Sequence, residues 1–120
     1  MINMNIQKFL DLDFVEEMKS LSDDDNMSFF TEMIDEFKKQ GDFLIGEINN
    51  LFQNQDFSKI SKPIHTLKGV SADMGALVLF TMCKGIEIKT KTNDFELISS
   101  SISELEDIFQ KTLNQLNSLI

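Results

Sequence analysis

The chain holds a single histidine, His65, with Lys68 three residues on and Gly69 four residues on. At about 3.6 residues per helical turn, the three share one side of a helix. A free imidazole titrates near pH ~6.5, so at cytosolic pH one ring nitrogen largely carries a free lone pair. On a convex helix face that nitrogen can attack an electrophile carried by another macromolecule. Acid–base catalysis on a small substrate would instead need an enclosing pocket. A Ser-His-Asp triad is disfavoured for the same reason, since Ser61 is simply a helix neighbour one turn back. Phosphoryl transfer suits the neighbours better. The migrating group spreads negative charge over three oxygens, and Lys68 is a flexible cation one turn away. Gly69 costs a helix interior roughly 1 kcal/mol relative to Ala. Either a partner must approach closer than a methyl group permits, or a neighbouring helix must.

These residues need a helix to present them. The third helix of the chain is expected from about Phe57 to Ala72, with an apolar stripe of Phe57, Ile60, Ile64, Leu67, Ser71 and Met74. At about 100° per residue, His65 falls roughly 120° from the middle of that stripe, in the sector of Ser58, Ser61, Lys68, Gly69 and Ala72. A core histidine would sit on the stripe. Pro63 removes a helical hydrogen bond and crowds the preceding turn. Either the helix restarts with Pro63 in its first turn, or it continues with a kink.

No strand alternation is sustained elsewhere, and helical periodicity is nearly continuous. Phe9, Leu10, Phe14, Val15 and Met18 predict a short first helix ending near Ser20, and Asp23 to Asn26 reads as a cap for the next. The second helix is expected from about Met27 to Phe52 on Phe30, Met33, Ile34, Phe37, Leu44, Ile48, Leu51 and Phe52. Gly41 and Gly46 inside it mark a bend or a close approach. Gly75 breaks the chain after the third helix. A fourth helix from about Ala76 to Lys89 presents Leu79, Phe80, Cys83 and Ile86. The last runs to about Leu119 on Leu97 or Ile98, Ile102, Leu105, Phe109, Leu113, Leu116 and Ile120, capped by Asn93 or Asp94. The fold class is all-α: an antiparallel four-helix bundle over about residues 27–119, with an additional short N-terminal helix at one end.

At 120 residues the chain makes one domain, 1–120. Its net charge of −9 disfavours nucleic acid and anionic membranes as partners, although Lys59, Lys62 and Lys68 form a local basic group around His65. With one cysteine and one histidine there is neither an internal disulfide nor a Cys- or His-cluster metal site. Asp23-Asp24-Asp25 lacks the glycine and terminal glutamate of a calcium loop. No apolar run approaches the roughly 20 residues of a membrane span, and Asn3, Asn5 and Gln7 interrupt any signal-peptide core. The expected location is cytoplasmic, or nuclear by diffusion.

His65-Thr66-Leu67-Lys68-Gly69, followed by Ser71, Gly75-Ala76, Cys83 and Ile86-Glu87, resembles the signature of histidine-containing phosphotransfer (HPt) domains. The helix plan and the Phe-rich second helix are similar too, so the resemblance covers nearly the whole chain. It implies that His65 accepts and donates a phosphoryl group, that Lys68 stabilises it, and that Gly69 leaves clearance for the partner. It further implies that Gly75 sets the turn and that Glu87 hydrogen-bonds the histidine; on charge pattern alone Glu87 reads as a solvated helix face. The implied partners are receiver domains and a hybrid histidine kinase, with no cofactor on this chain and Mg2+ only on the receiver. Ile64 stands where the family usually has a small residue, Gly-Val-Ser replaces Gly-Ser-Ser, and Pro63 is atypical. The expected activity is that of a monomeric phosphocarrier without its own kinase. The alternatives are a non-catalytic adaptor that binds receivers, or the phosphorylatable domain of a larger histidine kinase.

Overall fold

The computed structural model describes residues 9–23, 25, 27–92 and 95–120. Five α-helices make up the described chain: α1 (Leu12–Lys19), α2 (Ser28–Gln53), α3 (Ser61–Asp73), α4 (Leu77–Lys91) and α5 (Phe95–Asn117). No strand occurs among the described residues. α2 packs on α3 and α5, and α4 packs on the same two helices, which closes a four-helix bundle. Its core is the set of apolar stripes seen in the sequence: Phe30, Ile34, Phe37 and Ile48 from α2, Ile64 and Leu67 from α3, Leu79, Cys83 and Ile86 from α4, and Ile98, Leu105, Phe109 and Leu116 from α5. Burying these side chains is the main favourable term holding the helices together, at roughly 25 cal/mol per Å² of apolar surface.

Helix starts differ from the periodicity reading in three places. The third helix does not begin at Phe57. Phe57–Lys59 is a single 3-10 turn, and the α-helix starts at Ser61. Pro63 is therefore the third residue of α3, where a helical N–H has no partner inside the helix in any case. The first such bond runs from Ile64 N to Ile60 O at 3.2 Å, so the proline neither kinks the helix nor removes a bond from it. α1 is shorter than its apolar residues suggested. Phe9 and Leu10 are buried ahead of it, while Phe14 is exposed on its surface.

The start of α2 is the third difference. Its N-cap is Met27 in the left-handed region (φ 51°), without a side-chain cap of its own. The hydroxyl of Ser22 accepts from Phe30 N at 3.1 Å and serves instead. Asp24, Asn26, Asn93, Asp94 and the residues before Phe9 lie outside the described residues, as does the side chain of Leu97.

Two glycines allow close approach. A methyl at Gly41 would overlap the Phe109 ring, which also packs at a tilt against Phe37 with ring centroids 5.3 Å apart. Gly75 has φ 70° and terminates α3 in a Schellman motif, with Ala76 N donating to Ser71 O at 2.9 Å and Gly75 N to Ala72 O at 3.2 Å. A Cβ on Gly75 would lie 2.9 Å from both Phe14 and Val15, so α1 packs directly on this turn. Asp11 N donates to Gly75 O at 2.8 Å and completes the attachment.

Candidate functional site

α3 and α4 are adjacent antiparallel helices, and the Gly75 turn sets their register. That register brings Glu87 of α4 level with His65 and Lys68 of α3. Its carboxylate holds both: Oε2 lies 2.6 Å from His65 Nδ1, and Oε1 accepts from Lys68 Nζ at 2.6 Å. A carboxylate can only accept, so the ring nitrogen facing it carries the proton, and the unprotonated nitrogen of the neutral ring is Nε2. The His65 side chain is 69% exposed and Glu87 only 14%, so the constellation is anchored from beneath and open above.

The electrostatics follow from that anchoring. The Lys68 hydrogen bond, opposed by partial burial and aided by the His65 bond, holds the Glu87 carboxyl below the usual carboxylate range. Lys68 has three N–H donors and Glu87 takes one of them, so the ammonium can meet a further anion without leaving the carboxylate. Cys83, one turn before Glu87, is buried, and its thiol is pushed up to about 12, first by burial and then by the Glu87 charge. It is a neutral floor to the site rather than a nucleophile.

Gly69 is exposed on α3, and a Cβ built there meets nothing within 4 Å. Close packing by a neighbouring helix is thereby removed as the reason for this glycine. Ser61 and Ala72 share the sector, whereas Ser58 sits in the separate 3-10 turn and is not part of this helix face. The groove between α2 and α3 lined by Met33, Phe37, Val70 and Met74 does not include His65. Among the described residues no group of three or more His, Cys, Asp or Glu side chains is placed to hold a metal ion, and no helix is long and apolar enough to cross a membrane.

Two exposed residues of α4 near Glu87 in the chain escaped the sequence reading. Lys84 and Ile88 of α4, three residues before and one residue after Glu87, stand exposed, and Ile88 is 56% exposed. The available signal was an isoleucine lying off the apolar stripe of its helix.

The arrangement is that of an imidazole oriented from one side, open on the other and accompanied by a cation. Comparison with known proteins gives the same direction. The chain is 30% identical over 98 residues to histidine-containing phosphotransfer protein 2 of Arabidopsis thaliana, covering 79% of this chain and 62% of that protein. It is 22% identical over 116 residues to histidine-containing phosphotransfer protein 1 of the same plant, covering 95% of this chain and 75% of the relative. The chain thus spans somewhat under two thirds of the length of the first of these relatives. No solved structure gave a significant match. The Hpt domain family matches residues 32–117, which takes in α3, α4, α5 and all but the first four residues of α2. On that match, this chain belongs to the Hpt domain family.

Proposed function

We propose that this chain carries phosphoryl groups between receiver domains of a multistep phosphorelay, with His65 as the residue modified. The observation that supports this most directly is the Glu87 carboxylate, which grips Nδ1 and leaves Nε2 as the exposed nucleophile. A receiver bearing an aspartyl phosphate docks over α3. The Nε2 lone pair attacks phosphorus in line, and the P–O bond to the aspartate breaks with its electron pair remaining on the carboxylate. No proton needs to move, because Nδ1 keeps its proton and Glu87 balances the positive charge that the phosphorylated ring acquires. Lys68 offers a free N–H to the phosphoryl oxygens. Gly69 leaves room for the partner's backbone. Return of the electron pair to Nε2 as a second receiver's aspartate attacks completes the relay.

The chain needs no cofactor of its own in this scheme, and the divalent metal belongs to the receiver. It works as a cytoplasmic monomer, with a hybrid histidine kinase upstream. The test is incubation with a receiver domain carrying radiolabelled aspartyl phosphate. Acid-labile, base-stable label is expected on the wild type and absent from His65→Gln. Label that survives His65→Gln, or a wild type that takes none from any of a panel of receivers, ends the proposal.

A further inference from the structure

Residues 57–92, which span α3 and α4, carry six lysines and two carboxylates, Asp73 and Glu87, a net +4. Asp73 lies at the far end of α3 and lines the groove toward α2, so Glu87 is the carboxylate of this helix pair that reaches the ring. Its contacts also differ in kind from the other ion pairs among the described residues. Glu16–Lys19, Lys38–Asp42 and Asp107–Lys111 each lie within one helix, at three- or four-residue spacing. The two contacts of Glu87 cross from α4 to α3, at 2.6 Å each. The apolar core joins these helices from within, and on the exposed side the carboxylate clasps them.

Loading the ring changes the charge that this clasp holds. In the unloaded protein the Nδ1–H of a neutral imidazole donates to the carboxylate. With a phosphoryl group on Nε2 and the proton still on Nδ1, the ring is a cation, and the same contact becomes an ion pair. The phosphoryl oxygens bring opposing negative charge. They sit beyond the far ring nitrogen on the solvent side, where water screens them and Lys68 has N–H donors to spare. The carboxylate meets the ring from beneath, in contact and largely shielded from water. The near, shielded attraction outweighs the more distant, screened repulsion.

We infer that loading His65 tightens the Glu87 clasp between α3 and α4, and that the clasp in return raises the share of phosphoryl groups this chain holds at equilibrium. This rests on the reading of His65 as the phosphoryl carrier, and it gives Glu87 a part in the equilibrium of transfer as well as in the orientation of the ring. The two effects are one coupling: whatever the clasp gives to the loaded form, loading gives back to the clasp.

The experiment has two arms. In the first, the wild type is loaded with phosphoramidate, whose P–N bond breaks as ammonia leaves and the Nε2–P bond forms, and loading is verified by intact mass. Amide hydrogen exchange of the loaded and unloaded protein is then compared in mildly alkaline buffer, where phosphohistidine is long-lived. Amides of α3 and α4 around His65 and Glu87 should exchange at least about fivefold more slowly in the loaded protein. Equal or faster exchange overturns the inference. In the second arm, phosphoryl exchange with a receiver domain is followed to equilibrium from both sides, for the wild type and Glu87→Gln. The amide still accepts from Nδ1 but carries no charge, so the equilibrium should move about tenfold toward the phosphorylated receiver. A carboxylate that only orients the ring would speed both directions alike, so slower rates for Glu87→Gln with an unchanged equilibrium constant overturn the inference. A wild type that loads from phosphoramidate and shows the slowed exchange, yet trades phosphoryl groups with no receiver, overturns the relay reading and supports the clasp.

Discussion

Each oxygen of Glu87 holds a different side chain of α3, so one carboxylate sets both the tautomer of His65 and the position of Lys68. Because Lys68 holds its folded-state pKa below the usual value of 4.5, the bridge contributes stability that is present above that value and lost as pH falls through the lowered one. The melting temperature of the wild type should therefore exceed that of Glu87→Gln by a constant margin at neutral pH. The margin should shrink as pH is taken down through the carboxylate range, as thermal melts of the two proteins in parallel would record. A margin independent of pH would mean that the carboxylate's charge contributes nothing to the fold. Gly69 makes a second residue-scale prediction. With open space around it, Gly69→Ala should stabilise the protein by about 0.5–1 kcal/mol in denaturant titrations. Gly69→Gln should fold equally well yet slow transfer from a receiver at least tenfold. Equal transfer rates for both variants would remove clearance as the reason for the glycine.

At the scale of the elements, α2 contains two glycines that behave in opposite ways. Gly41 faces α5, where a methyl would drive into the fully buried Phe109, and Gly46 faces open space. Gly41→Ala should cost about 1–3 kcal/mol through overpacking. Gly46→Ala should gain about 0.5–1 kcal/mol from helix propensity. Chemical denaturation midpoints that move the same way for both would contradict this packing of α2 on α5. The two glycines could not be told apart beforehand, because periodicity places a residue on a face without saying how near the opposite helix lies. The long stripes of α2 and α5 were legible for the converse reason: burial of one face imposes a 3.6-residue period that many side chains repeat. Short-range geometry was harder to read. The 3-10 turn at Phe57–Lys59 and the left-handed Met27 carry no glycine to announce them, and Ser22 caps α2 from eight residues away. His65, Lys68 and Gly69 share a helix and declared themselves by spacing. Glu87 is 22 residues from His65, and only the register of two helices brings them together, so no spacing rule reaches it. Family resemblance supplied that residue.

The whole molecule poses a question of sign. Its net charge of −9 should repel an anionic partner, while the +4 of residues 57–92 should attract it. Range decides between the two. The molecule extends 47 × 33 × 18 Å, so much of the acidic surface lies well over a Debye length from His65 at about 0.15 M salt, where that length is about 8 Å. The lysines beside His65 lie at the contact itself and are screened less. Above about 0.1 M salt the local attraction should therefore dominate, and the second-order rate of phosphoryl transfer from a receiver should fall as salt is added. Near about 0.01 M the screening length grows to about 30 Å, and the distant acidic faces then join in. There the dependence should flatten or reverse. Rapid-quench measurement of transfer rate against ionic strength would show this shape. A rate that rises with salt across the whole range would mean that the partner meets the net charge of the molecule, and not the lysines around His65.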